Sequence, residues 1–351
     1  MTCPMTDKII KKGEFGGFLR ALALEKTYEV LVPVKEGGFH SFKPMSDEEE
    51  VDLRFTNTRL SPKSFVVPQS ERMFEFTLDG RNEDAHILKE VTKTYPRRAI
   101  VGIRPCDARA IRLVDINFNN PEFRDPWWVK RLNSITLVGL GCTEPCSTCF
   151  CTSVNCGPFD EEGLDVLLFD LGEYLLARPL TEKGEGLLQA GGAARDADEE
   201  SRKKAHKLRR EAEQRITSHV PTDKLGQKNV NDLFDAPFWD DVAFACINCG
   251  TCTFLCPTCW CFDIQDEVIR GEGDRIRNWD SCMFPLFTLH ASGHNPRTEK
   301  VQRVRQRFMH KLKYYVDTYK NGVACVGCGR CVTYCPVNID IREVFRLMNE
   351  L

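Results

Sequence analysis

The sequence lacks several things that would each assign a class. It has no excess of either charge: 48 Lys plus Arg against 51 Asp plus Glu leave a net charge of −3, which excludes the strongly basic footprint of a nucleic-acid-binding domain. It has no dinucleotide fingerprint. The glycine-rich segment GEFGG at 13–17 lacks the G-x-G-x-x-G spacing and follows no strand, so a flavin or pyridine nucleotide site is expected on another chain, or in a form this sequence does not reveal. The first residues, MTCPMTDK, hold no apolar h-region, so no secretory signal is expected and the thiols should sit in a reducing, cytoplasmic compartment. Nor does any apolar run read as a membrane span. The nearest, 242–262, is uncharged between Asp241 and Asp263, but it holds Pro257, Gly250 and six Cys (246, 249, 252, 256, 259 and 261). Ligand-bearing loop backbone could not be left against lipid.

What the sequence has in excess is cysteine, 18 in 351 residues. Without disulfide-forming export, such density reads as metal or redox chemistry. The remaining composition, 42% hydrophobic and 28% charged, is that of a folded protein with room for two or three domains of ~150 residues.

Patterning along the chain predicts a mixed α/β N-terminal domain. Segments 28–34 and 39–42 read as strands around Gly37-Gly38, and 46–50 (SDEEE) as a solvated acidic turn or helix start. A helix is expected at 84–94. Buried strands follow at 99–103 and 135–140, with a helix at 108–116 capped by Asp107 between them, which suggests a βαβ unit. Residues 166–169 and 174–177 read as a hairpin. The charge-dense segment 195–216, with a thin stripe of Ala205, Leu208, Ala212 and Ile216, reads as a solvated helical spacer, with a docking helix as the alternative. Residues 217–240, with Pro221, Gly226 and Pro237, read as a linker.

Two segments repeat: CINCGTCTFLCP at 246–257 and CVGCGRCVTYCP at 325–336. Both spell C-x2-C-x2-C-x3-C-P, in which three thiolates of one loop hold an iron–sulfur cube and the fourth ligates the neighbouring one. One [4Fe–4S] cluster is thereby assigned to Cys246, Cys249, Cys252 and Cys335, and the other to Cys325, Cys328, Cys331 and Cys256. Gly250, Gly327 and Gly329 let the backbone wrap closely, and Pro257 and Pro336 turn the chain away. Zinc, usually held by two separated pairs of ligands, suits these runs poorly. Between them, helices are expected at 264–270, 284–291 and 300–320. The last has one apolar stripe (Val301, Val304, Phe308, Leu312, Tyr315) and an opposite face of Lys300, Arg303, Arg305, Arg307, Lys311 and Lys313. That face reads as solvated, or as a dock for an acidic redox partner.

A third metal site is inferred in GCTEPCSTCFCTSVNC, 141–156, from Cys142, Cys146, Cys149, Cys151 and Cys156, with Cys106 as an extra ligand. Both loops would follow parallel strands and open onto one crevice. A third iron–sulfur cluster, zinc and thiols without metal all remain open there. Cys142, Cys146 and Cys149 also spell the C-x3-C-x2-C radical-SAM signature, but Thr148 and the short span before Cys246 weigh against it. Cys259, Cys261 and Cys282 read as packed thiols or part of a further redox centre. His290 and His294 read as a structural pair, and Cys3 as free.

With these motifs in hand, the chain resembles the iron–sulfur beta subunit of cytoplasmic NiFe hydrogenases (sulfhydrogenases) and the corresponding iron–sulfur subunit of anaerobic sulfite reductase. The resemblance runs through YEVLVPVKEGG, GIRPCDARAI, GCTEPCSTCFCTS, both cluster motifs and WDSCMFPLFTLHASGHNPR. It implies electron transfer between a partner binding FAD and NAD(P) and a catalytic module such as a NiFe hydrogenase or sulfite reductase. The expected architecture is α+β: a mixed α/β domain at 1–194, a charged helix and linker at 195–237, and an α-helical ferredoxin-like domain with two [4Fe–4S] clusters at 238–351. A competing expectation makes the 142–156 loop a catalytic cluster with an open iron site. Four thiols around that site would mean relay, and three with a vacancy chemistry.

Overall fold

The computed structural model describes residues 6–24, 28–46, 51–192 and 195–351; Cys3 and the acidic residues 47–50 lie outside them. Among the described residues twelve strands form two sheets. In chain order they are β1 (Lys8–Lys11), β2 (Glu29–Glu36), β3 (Phe39–Pro44), β4 (Ser70–Thr77), β5 (Lys89–Glu90), β6 (Arg98–Ile103), β7 (Ile135–Leu140), β8 (Val166–Asp170), β9 (Tyr174–Pro179), β10 (Arg195–Asp196), β11 (Phe262–Ile269) and β12 (Glu272–Trp279). The larger sheet runs β10-β1-β9-β8-β7-β6-β2-β3. Its centre is parallel, β2 to β6 to β7 to β8, and its flanks are antiparallel. The continuous apolar runs of β6 and β7 are the reason: all of β7 and all but the first residue of β6 are buried, as strands covered on both faces must be.

The β6-to-β7 crossover is helical, Pro105–Phe118 followed by Pro126–Ser134. Asp107 does not cap the first helix. Arg104 occupies that position, Pro105 starts the helix, and Asp107 lies in the first turn, buried. The charged segment forms the helix Glu199–Gln214, capped by the Asp198 side chain. It is no solvated spacer: Ala205 and Ala212 are fully buried within the core cluster that includes strands of the large sheet. Small side chains let it lie close, and its charged faces stay wet.

Three expected helices are replaced by other structure. Residues 84–88 are turns and irregular chain leading into β5, which pairs with β4, and 91–94 are irregular. Residues 264–270 belong to the hairpin β11–β12, and β12 pairs with β4 in the smaller sheet β11-β12-β4-β5. The hairpin turns at Arg270-Gly271, whose φ values of 54° and 89° are those a two-residue loop requires. Residues 284–291 contain only the 3₁₀ turn Pro285–Thr288. Pairing of β12 with β4 joins the two halves of the chain. Glu71 on β4 receives Arg131, Lys93 and Arg277 in one buried network. Burial works against its charge, but these cations pull the carboxyl down to about 2.

The 300–320 helix is present as Lys300–Met309, a π turn His310–Tyr314 and Tyr315–Tyr319. Val304, Phe308, Leu312 and Tyr315 are its buried stripe. Among the described residues no helix is long and apolar enough to cross a membrane, and the six cysteines of 242–262 sit on loops and short turns.

Candidate metal centres

The two repeated loops fold alike. Asn248 and Gly250 in the first have φ of 53° and 74°, and Gly327 and Gly329 at the matching positions in the second have 62° and 72°. Left-handed residues at these two places bend each C-x2-C-x2-C run into a cup. One cavity is walled by Cys246, Cys249, Cys252 and Cys335, with Met283, Val304 and Phe308 behind them. A second is walled by Cys256, Cys325, Cys328 and Cys331. The fourth cysteine of each run therefore stands at the other run's cavity. Arg307 and Cys331 border both.

A third cavity lies at the carboxyl ends of the parallel strands β6 and β7. Cys106, Cys142, Cys149 and Cys151 line it together with Arg104, Thr56 and Asn57. At about 20 Å³ it matches the second, also about 20 Å³, while the first is about 30 Å³. Of the five cysteines expected here, three reach the wall. Cys146 does not line the cavity; its hydrogen bond with Cys149 draws the Cys146 thiol down to about 6 and pushes the Cys149 thiol up. Cys156 faces its neighbouring Gly157 carbonyl and Asp160. Cys106 joins because β6 and β7 are parallel neighbours.

The second and third cavities are contiguous. Cys328 and Gly327 border the third, and Cys328 the second as well. The Phe150 amide donates to the Gly327 carbonyl at 2.9 Å, and the Cys149 thiol meets the Cys328 carbonyl at 3.8 Å. Nothing larger than glycine fits the seam: a Cβ on Gly327 would stand 2.5 Å from the Cys151 nitrogen, and one on Gly329 2.7 Å from the Thr148 carbonyl oxygen.

Buried cations surround these thiols. Of the six basic residues on the face of the 300–319 helix, Arg303, Arg307, Lys311 and Lys313 are buried, Arg305 is half-buried and only Lys300 is exposed. Burial disfavours charge on Arg307 and Lys311, yet neighbouring cysteines hold both pKa values above the ordinary ones. Lys311 Nζ donates to Thr258 Oγ1 at 2.7 Å, and that hydroxyl lies 3.2 Å from Cys256 Sγ. Arg330 forms a buried pair with Asp107 at 2.6 Å, linking the second loop to the helix that carries Cys106. The Nε of Arg307 and that of Arg104 have no partner, so donors at the cavity walls lack an acceptor.

These features fit iron–sulfur clusters. The donor set is all thiol, with cations positioned to offset the charge of sulfur-rich anionic groups. Burial pushes Cys151 and Cys328 up to about 12 and Cys106, Cys252, Cys325 and Cys331 upward as well, so metal must displace protons on entry. Among the described residues no three Cys, His, Asp or Glu converge tightly enough to hold a single ion, as zinc would need; thiols that ligate separate irons of one cluster stand farther apart. His290 and His294 lie on a turn with ring centroids 5.3 Å apart.

Cys249 alone among the described cysteines is exposed. Around its loop Phe244, Ile247 and Leu286 are 81%, 63% and 77% exposed.

Residues 245–339 match the family described as a 4Fe-4S dicluster domain. The chain is 30% identical over 331 residues to Sulfhydrogenase 2 subunit beta of Pyrococcus furiosus, an alignment spanning 93% of this chain and 94% of that protein. No solved structure matches it.

Proposed function

Since this chain belongs to the sulfhydrogenase beta-subunit family, we propose that it is the iron–sulfur electron-transfer subunit of a soluble, cytoplasmic anaerobic oxidoreductase complex. It relays electrons between a subunit binding FAD and NAD(P) and a catalytic module such as a NiFe hydrogenase or sulfite reductase. The observation that carries this reading is the row of three thiol-lined cavities, each sharing a wall with the next, that ends at the exposed Cys249.

Cys246, Cys249, Cys252 and Cys335 would hold one [4Fe–4S] cluster, and Cys256, Cys325, Cys328 and Cys331 the second. Cys106, Cys142, Cys149 and Cys151 would hold a third; four thiols there favour relay over an open catalytic iron. Bound [4Fe–4S] clusters supply one-electron redox chemistry. The protein's own part is to place the sites wall to wall, exclude water with Met283, Val304 and Phe308, and set buried charge around them. Arg307, between the first two cavities, and Arg330, beside the second, stabilise added electrons at those positions. The apolar rim of Phe244, Ile247 and Leu286 offers a partner protein dry contact beside Cys249.

The test is iron per chain and spin quantification after anaerobic purification. About 12 irons are expected with three clusters, falling to about 8 in Cys106→Ser. Unchanged iron in that variant removes Cys106 from the third set, and a colourless protein ends the relay reading.

A further inference from the structure

Like Cys146 and Cys156, the cysteines Cys259, Cys261 and Cys282 line none of the three cavities. Cys259 touches Cys256, its thiol hydrogen-bonded to that sulfur. The other two form a pair of their own. Cys261 immediately precedes β11, and Cys282 follows β12 by three residues, so both sit at the open end of the hairpin. There the register closes through Phe262 opposite Trp279, and the Asp280 amide donates to the Cys261 carbonyl at 3.0 Å. The two thiols are hydrogen-bonded to each other, and the Cys282 backbone N–H also donates to Cys261 Sγ.

The surroundings hold this pair in register. Ser281, fully buried, bonds Thr253 Oγ1 at 2.8 Å and accepts from the Met283 amide at 3.1 Å. Lys63 Nζ lies 4.4 Å from the Trp279 ring centroid and donates to the carbonyls of Cys256 and Cys259 at 2.9 and 3.0 Å. Together with Lys311 it places positive charge near Cys261. The two sulfurs differ in access: Cys282 is buried, whereas Cys261 is partly exposed. Its hydrogen bond from Cys282 outweighs burial and brings the Cys261 thiol down to about 6, where the nucleophilic thiolate is populated at neutral pH.

We propose that Cys261 and Cys282 form a redox-active dithiol that reduces small-molecule disulfides, a two-electron site distinct from the one-electron relay. The Cys261 thiolate attacks one sulfur of R–S–S–R. That bond breaks, and the first thiolate leaves and takes up a proton from solvent. Cys282 then gives its proton to the second leaving sulfur and attacks Cys261 Sγ, closing the intramolecular disulfide. The substrate is reduced to two thiols and the protein dithiol is oxidised by two electrons. The more accessible sulfur attacks first and the buried one resolves.

The experiment treats the anaerobically purified, cluster-loaded complex with glutathione disulfide, followed by alkylation of free thiols, peptide mass spectrometry and iron determination. Loss of alkylation at Cys261 and Cys282, a peptide linking them and unchanged iron are expected. Cys282→Ser should trap a glutathione mixed disulfide on Cys261, Cys261→Ser should give neither product, and Cys259→Ser should still form the link. The proposal is overturned if both thiols stay alkylatable, or if they react only as iron is released, which would make them cluster ligands. Because iron and thiols are counted separately, failure of this pair leaves the relay reading standing.

Discussion

The two repeated loops share a sequence pattern and a backbone, but not an environment. Loop 325–335 is packed against the N-terminal half: Arg330 reaches Asp107, Asn57 and Thr58, and Gly327 and Gly329 press on the 141–156 loop. Loop 246–256 faces outward, with Cys249 exposed and Ile247 beside it. At the position of Arg330 it has Thr251, whose hydroxyl meets its own loop's Cys249 sulfur. The same cup can thus serve as the interior of a conductor or as its terminal. What surrounds it decides which.

The largest effect expected from this contrast is on iron and folding together. Cys331→Ser should lose at least one cluster, about four irons, and lower the melting temperature, because its sulfur borders two cavities in the packed core. Cys249→Ser should lose about four irons with the N-terminal sheet intact by circular dichroism. Full iron and full complex activity in Cys249→Ser would contradict its assignment as a ligand.

Next comes the buried ion pair. Arg330→Thr, which gives the inner loop the outer loop's residue, strands Asp107 in the core and should cost about 3–5 kcal/mol in denaturant unfolding. The reciprocal Thr251→Arg should change stability by less than about 1 kcal/mol. Equal effects would erase the distinction between the loops.

The glycines offer a finer test. Gly329→Ala drives a methyl into the Thr148 backbone and should cost on the order of 2–4 kcal/mol, whereas at Gly250 the obstacle is the Phe284 ring, 2.8 Å from the added Cβ, which can swing aside for about 1–2 kcal/mol. Denaturation midpoints of the two variants rank them. The smallest effect belongs to the outward rim: Leu286→Ser should leave iron and stability unchanged and weaken partner binding by about 1–2 kcal/mol, read by titration of the purified partner.

The cups were legible because their chemistry is local. A C-x2-C-x2-C-x3-C-P run states its own turn, and the reciprocal placement of Cys256 and Cys335 follows from the repeat. The crevice after β6 and β7 was legible too, since two apolar runs around a helix imply parallel neighbours. What escaped were features set by distant partners. In 264–270 the mixed polar and apolar residues do not reveal that β4, far back in the chain, offers an edge to the hairpin; the Arg270-Gly271 turn was the available signal. A helical wheel separates Arg307 and Lys311 from the apolar stripe, but cannot tell that sulfur rather than water lies opposite. Cys146 and Cys156 differ from Cys149 and Cys151 only in which way a loop points them.

The π turn at His310–Tyr314 has a mechanical meaning. At this π turn the Ala324 amide, one residue before Cys325, donates to the Lys311 carbonyl at 2.9 Å. The long helix therefore grips the second repeat at its threshold and aims the Lys311 ammonium from the same residue. Deleting one position there would rewind the coil, swing everything downstream by about 100° and unhook that grip. The surplus residue works as a dowel that fixes the inner cup in place.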